Sequence, residues 1–134
     1  MAQIEVVFFD VGGTLGSVDA NLELHLFPTT KDLLAVCRGV LGLRLGVMSN
    51  VPATLGTKGL KSILEKAGIL KSFEPALIVT SVDAGAEKPK PAIYQFAAKK
   101  AGVHMDHCLY IGEDIKEVDG AVAAGMPAIL KPVP

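Results

Sequence analysis

Short apolar runs and stretches striped at helical spacing take turns along this chain, and no other feature limits its fold so strongly. Residues 4–9, Ile-Glu-Val-Val-Phe-Phe, are rich in β-branched and aromatic side chains, which suits a strand covered on both faces. Leu33, Leu34, Cys37, Val40 and Leu41 then recur at helical spacing, with Thr29 or Thr30 as N-cap and Gly42 as the stop. Arg44 to Met48 reads as a second strand, and Leu60, Ile63, Leu64 and Ala67 as the stripe of a helix stopped by Gly68. Ala76 to Thr80 is the third strand. A loop from Ser81 to Lys90 leads to Pro91, the first residue of a helix that carries Ile93, Phe96 and Ala97 and ends at Gly102. Cys108 to Ile111 makes a fourth strand, Ile115, Val118 and Val122 stripe a last helix ending at Gly125, and Pro127 to Leu130 supplies a fifth strand.

Parallel neighbours need a crossover, so this alternation predicts an α/β, three-layer, Rossmann-like fold: a five-stranded parallel sheet with helices on both faces. At 134 residues the chain is expected to form a single domain over residues 1–134. Half the residues are hydrophobic and only 5% aromatic, so the core is aliphatic, as buried parallel strands require. A net charge of −1 gives no general affinity for nucleic acid or an anionic membrane, and any anion must be bound locally. No targeting segment or apolar run of about 18 residues is seen, which predicts a cytoplasmic protein. Cys37 and Cys108 have no metal-ligand spacing and read as buried free thiols.

In such sheets ligands gather beyond the carboxyl ends of the strands. Asp10, Ser49 and Glu113 each stand at or just past a predicted strand end, so they should converge. An aspartate beside an open glycine turn, here Gly12-Gly13, can act as a nucleophile that splits one hard displacement into two steps. Its anionic target would repel it, and Mg2+ relieves that repulsion by binding carboxylate and phosphate oxygens together. Asp10, the Gly12 carbonyl and an acid near Glu113 are candidate metal ligands. The Ser49 hydroxyl, with Asn50 and the backbone around Gly13, is expected to meet the phosphoryl oxygens, and Lys88 to balance the clustered charge.

Four segments carry a resemblance. Phe8-Phe9-Asp10-Val11-Gly12-Gly13-Thr14-Leu15, Val47-Met48-Ser49-Asn50, Glu87-Lys88-Pro89-Lys90-Pro91-Ala92-Ile93-Tyr94 and Tyr110-Ile111-Gly112-Glu113 resemble, in order, the four motifs of the haloacid dehalogenase superfamily, over nearly the whole chain. That resemblance implies a magnesium-dependent hydrolase of the phosphatase type. Asp10 would be the nucleophile, Ser49 and Lys88 would bind phosphate, and Glu113 would bind magnesium with Asp114 or Glu117 nearby; Lys90 is the alternative to Lys88.

Three departures qualify it. Phosphatases of the superfamily usually place a second aspartate, the general acid and base, two residues after the nucleophile, and here that position is Gly12. Glu113 stands where an aspartate is usual. Thirty-nine positions separate Asp10 from Ser49 and again Ser49 from Lys88, too few for a cap domain of about 50 residues besides the helices already there. The expectation is a capless site, shielded at most by residues 16–27 or by another subunit of a homo-oligomer. A catalytically silent phosphate-binding or scaffold module, and a dehalogenase, stand as alternatives. His25, with Asp19 and Glu23, is a candidate substitute for the missing proton carrier. His104, His107 and Cys108 straddle the entry to an apolar strand and read as structural.

Overall fold

A computed structural model describes residues 2–134 of the chain. Five strands form one parallel sheet: β1 (Val6–Phe9), β4 (Arg44–Ser49), β5 (Ile78–Thr80), β6 (Cys108–Gly112) and β7 (Ala128–Leu130), in the order β5-β4-β1-β6-β7. All five strands lie near the predicted bounds. The first strand's expected start at residue 4 is trimmed, although Glu5 still bonds to both neighbours through His107 O and Arg44 N. The third begins later because Pro75–Leu77 coil into a tight helical turn first.

Alternation along β1 builds two separate cores. Val7 and Phe9 join Leu45, Val47 and Ile78 under α1 (Thr30–Ala35) and α2 (Gly56–Lys66), which contribute Leu34, Leu60, Ile63 and Leu64. Val6 and Phe8 join Met48, Val79 and Tyr110 on the other face, under α4 (Pro91–Ala101) and α5 (Ile115–Ala124), which contribute Ile93, Tyr94, Ala97, Val118 and Ala121. All four side chains of β1 are buried, which explains why its sequence is apolar without alternation. Cys37 and Cys108 are buried and free, one in each core; burial pushes the Cys108 thiol up to about 11.

Four differences from the sequence reading have physical causes. Residues 16–28 contain an antiparallel hairpin, β2 (Gly16–Val18) with β3 (Leu24–Leu26), whose strands are too short for periodicity to reveal. Gly16 is required there, since a Cβ would lie 2.2 Å from the His25 carbonyl oxygen. The helix after Thr30 widens into a π-type turn over Val36–Val40, closed by Leu41 N–H to Val36 O. The extra residue per turn rotates Val40 and Leu41 out to solvent, contrary to the expected stripe. The loop from Ser81 holds a short helix, α3 (Ser81–Ala84), capped by the Thr80 hydroxyl. In α5 the buried positions are Val118 and Ala121 while Ile115 and Val122 are exposed, because the helix is turned so that Gly120 packs on the loop before α4, where a Cβ would meet Pro89 at 2.5 Å. Between β1 and β4 the described residues hold only the hairpin and the α1 helix with its π-type extension, so no cap domain interrupts the core. No helix of the described residues is long and apolar enough to cross a membrane.

Candidate active site

The chain leaves β1 in one direction to β4 and β5, then returns past β1 to β6 and β7. The crevice at that reversal lies at the carboxyl end of β1, where Asp10 stands. Its backbone N–H still donates to Ile111 O at 2.9 Å, which fixes the residue to β6. Directly beyond, Val11 O accepts from Thr14 and Leu15, and Gly13 N–H donates to Gly16 O at 2.8 Å, folding the chain back tightly. Gly13 has φ +83°, and a Cβ there would come within 2.6 Å of the Glu113 side chain, so the glycine makes the space in which Glu113 lies. Gly12 is under no such constraint: a Cβ would find only Val18 Cγ2, at 3.9 Å.

Lys88 reaches this point from the loop before α4. Its ammonium contacts Asp10 Oδ1 at 2.9 Å, Met48 O at 2.7 Å, Tyr110 Oη at 3.0 Å and Glu117 Oε1 at 3.0 Å, with its side chain only 1% exposed. An ammonium has three protons, so the four partners already exceed its donors. Lys88 therefore fixes Asp10 first, and a phosphate oxygen must compete for it. The Tyr110 hydroxyl accepts from Lys88 and donates to Glu117 Oε1 at 3.2 Å. Burial, then the nearby charges of Asp10 and Glu117, push the phenol far upward, so it remains neutral and able to donate. The sequence reading assigned Tyr110 no role. Its signal was slight: a polar tip on a strand otherwise apolar, three residues before Glu113.

Asn50 holds the lysine's backbone from the end of β4. Its amide donates to Lys88 O at 3.1 Å and its carbonyl accepts from Lys88 N–H at 2.8 Å. The side chain expected to meet phosphate thus clamps the Lys88 loop. Ser49 is buried beside it, and no protein partner for its hydroxyl occurs among the described residues. Asp10, Gly12, Ser49, Asn50, Lys88, Glu113 and Glu117 all line one cavity of about 320 Å³.

Gly13 and Asp114 are not in that lining. The Gly13 N–H is occupied within its turn, and Asp114 serves as N-cap of α5, accepting from the N–H groups of Lys116 (2.8 Å) and Glu117 (3.4 Å). The cap explains its sequence position without a ligand. Lys90 stands at the start of α4 and lines a separate cleft with Ser81 and Glu87.

Charge around the cavity does not balance. Asp10, Glu113 and Glu117 face one cation, Lys88. Burial, followed by repulsion from Asp10, Asp114 and Glu117, raises the Glu113 carboxyl above its ordinary range, with Lys88 opposing. Surplus carboxylate charge beside a strand end is the chemistry a hard divalent cation satisfies through oxygen ligands. The tightest grouping of possible metal ligands among the described residues is elsewhere, at Asp19, Glu23 and His25 in the hairpin, and it is largely exposed.

That hairpin turns two different faces to its surroundings. Val18 and Leu22 line the Asp10 cavity, whereas Glu23 and His25 open on a cleft with Lys66 and Ala67. His25 is tied to Asp19 at 2.7 Å; that hydrogen bond raises the imidazole's pKa and lowers the carboxyl's. The alternation of side chains across β3 thus points the candidate proton carrier away from Asp10. His104 and His107 make surface pairs with Asp106 and Glu5, and Cys108 faces the core, so these three form no metal site.

Comparison with known proteins agrees with this geometry. Over 89 residues, 66% of this chain, it is 35% identical to haloacid dehalogenase-like hydrolase domain-containing protein 3 of Danio rerio, of which it covers 34%. Over 105 residues, 78% of the chain, it is 32% identical to a phosphoglycolate phosphatase of Yersinia pseudotuberculosis, of which it covers 42%. The chain thus spans less than half the length of either relative. An uncharacterized protein from Listeria monocytogenes serotype 4b has the same fold, with a TM-score of 0.81 at 23% identity over 95% of this chain and 78% of that one. A family model described as haloacid dehalogenase-like hydrolase matches residues 16–125, a stretch that begins after Asp10 yet takes in Ser49, Lys88 and Glu113. With the motif order, the sheet order and this match in agreement, the chain belongs to the haloacid dehalogenase-like hydrolase family.

Proposed function

We propose that residues 1–134 form one capless catalytic domain that hydrolyses phosphate monoesters or acyl phosphates through an aspartyl phosphate on Asp10. One observation carries the reading. Asp10 stands at the carboxyl end of the central strand with Oδ1 fixed by a buried lysine at 2.9 Å, while Oδ2 has only a 3.4 Å contact from the Thr14 hydroxyl. Oδ2 is the oxygen free to attack phosphorus as the ester oxygen departs with its bonding electrons. Water then attacks the same phosphorus, releasing orthophosphate and restoring the carboxylate. The Ser49 hydroxyl is available to a phosphoryl oxygen, and Lys88 and Tyr110 keep the nucleophile in place.

Mg2+ fits the donor set on charge and chemistry, with Asp10, the Gly12 carbonyl and Glu113 as the groups that would hold it. When bound, it supplies neutralisation of the phosphoryl oxygens. Gly12 cannot give the leaving oxygen a proton, so water must, and esters with good leaving groups are favoured. The name of the Yersinia relative places phosphoglycolate among the compounds to try.

The test is phosphate release from acetyl phosphate, aryl phosphates and phosphoglycolate, with Mg2+ or with chelator, beside Asp10→Asn. Release that needs Mg2+ and disappears in the variant is expected; no release from any compound, or an active variant, refutes the reading. Gly12 also favours a second one, a phosphate-binding module without turnover. Binding of the same compounds in the absence of any release would select it.

A further inference from the structure

The cavity at Asp10 has two unlike halves. One set of lining residues is charged or polar, Asp10, Ser49, Lys88, Glu113 and Glu117, and the other is apolar, with Val18 and Leu22 from the hairpin and Val51, Pro52 and Leu55 from the segment after β4. Resting on the phosphatase reading above, we infer that the group esterified to phosphate is uncharged and apolar, and that Val18 and Leu22 select it.

Charge gives the first argument. Lys88 is the one cation lining the cavity among the described residues, and its ammonium is already shared among Asp10, Glu117, Met48 O and Tyr110. Mg2+, where bound, is matched by its carboxylate ligands and the phosphoryl oxygens, so a second anionic group on the substrate, such as a carboxylate, would meet three carboxylates and no further cation. Its loss of hydration would go uncompensated. A neutral apolar group meets matching surface instead.

The hairpin gives the second. Leu22 has φ +60°, a backbone conformation that a bulky L-residue rarely adopts, and Asp19 holds the turn by accepting from the N–H groups of Asn21 and Glu23. The result is an apolar side chain that lines the cavity and is still 52% exposed, beside Val18 at 41%. None of the described residues covers the exposed half of either one. A cavity of about 320 Å³ is at the small end for small-molecule sites, which run roughly 300–1,000 Å³. An apolar group bound beside phosphate would bury both side chains and remove their surface from water.

Three esters separate the possibilities: phenyl phosphate, 4-propylphenyl phosphate and 4-carboxyphenyl phosphate, the last with a leaving group no poorer than the others. The expected kcat/KM for 4-propylphenyl phosphate exceeds that for phenyl phosphate by about two- to fourfold per methylene in contact, and that for the carboxylate by at least about tenfold. Leu22→Lys, which gives the wall a cation, should shrink the propyl-to-carboxy ratio at least about fivefold; Val18→Lys serves the same purpose if circular dichroism shows Leu22→Lys unfolded. Equal rates, or a preference for the carboxylate, overturn the inference and leave the phosphatase reading standing. If neither these esters nor acetyl phosphate and phosphoglycolate are hydrolysed, the phosphatase reading falls by itself. Calorimetric affinities of the intact protein for the three compounds then decide: the same ranking supports an apolar-selective site, and a flat or reversed ranking overturns it.

Discussion

Replacing Lys88 by Met keeps the stem of the side chain and removes its charge, leaving Asp10 and Glu117 facing one another in a half-closed site. Removing one partner of a buried ion pair costs about 3–5 kcal/mol, because the other charge stays desolvated. Here two carboxylates lose their partner, but their side chains keep 12% and 20% exposure, so water takes up part of the loss. The low end, about 3 kcal/mol, is the expected effect. For a chain of this size, at about 3–5 °C per kcal/mol, the midpoint of thermal unfolding should fall by about 10 °C. Equilibrium urea unfolding measures the free energy directly, and an unchanged slope confirms that the comparison is like for like. Adding Glu117→Gln to the variant removes one of the stranded charges and should restore about 1 kcal/mol, although in the wild type the same change breaks a 3.0 Å ion pair and destabilises. A loss below about 1 kcal/mol in Lys88→Met, or a double variant in which the two losses simply add, would refute the view that this lysine is the electrostatic centre of the site.

Gly12→Asp meets no obstacle at its Cβ, whose nearest neighbour would be 3.9 Å away; it should raise turnover of esters with poor leaving groups by about tenfold or more, and an unchanged rate refutes the role given to position 12. Glu113→Gln tests the raised carboxyl. The wild-type penalty is absent below the ordinary value of 4.5 and complete above the raised folded value, so in chelator the variant should be more stable near pH 8, by less than about 1 kcal/mol, with the gap closing by pH 4. His25→Ala should leave phosphate release unchanged and weaken the fold slightly only at low pH, because an imidazole with a raised folded value stabilises below 6.5 and ceases to as pH climbs through that folded value; loss of turnover would reinstate it as a proton carrier.

The sheet was legible because buried parallel strands leave a plain trace: Val6 to Phe9 and Leu45 to Met48 are apolar at every position but Gly46, and glycines close the helices between them. Convergence of Asp10, Ser49 and Glu113 followed from strand ends, while Lys88, in a loop, was legible only from the charge it must balance and from the motif it resembles. What escaped the sequence depended on rotation or pairing at a distance. The π-type turn that exposes Val40 and Leu41 has no composition of its own, and the hairpin has only three residues per strand. Side-chain roles were blurred for a related reason. Asn50 and Asp114 occupy positions where a ligand contact and a backbone bond would select the same residue type, and only the partners, Lys88 in one case and the α5 amides in the other, tell them apart.

The strand that carries Asp10 sits mid-sheet, yet its partner on one flank, residues 108–112, is made last but one among the strands. While the chain emerges from the ribosome, the β1 edge that will pair with β6 has no neighbour until some hundred residues have followed it, and its apolar face toward α4 and α5 stays bare as long. Such an open, sticky border invites pairing with other nascent chains. Any lineage carrying this topology inherits a window of vulnerability during synthesis, and the crevice around Asp10 is completed only at the moment that window shuts.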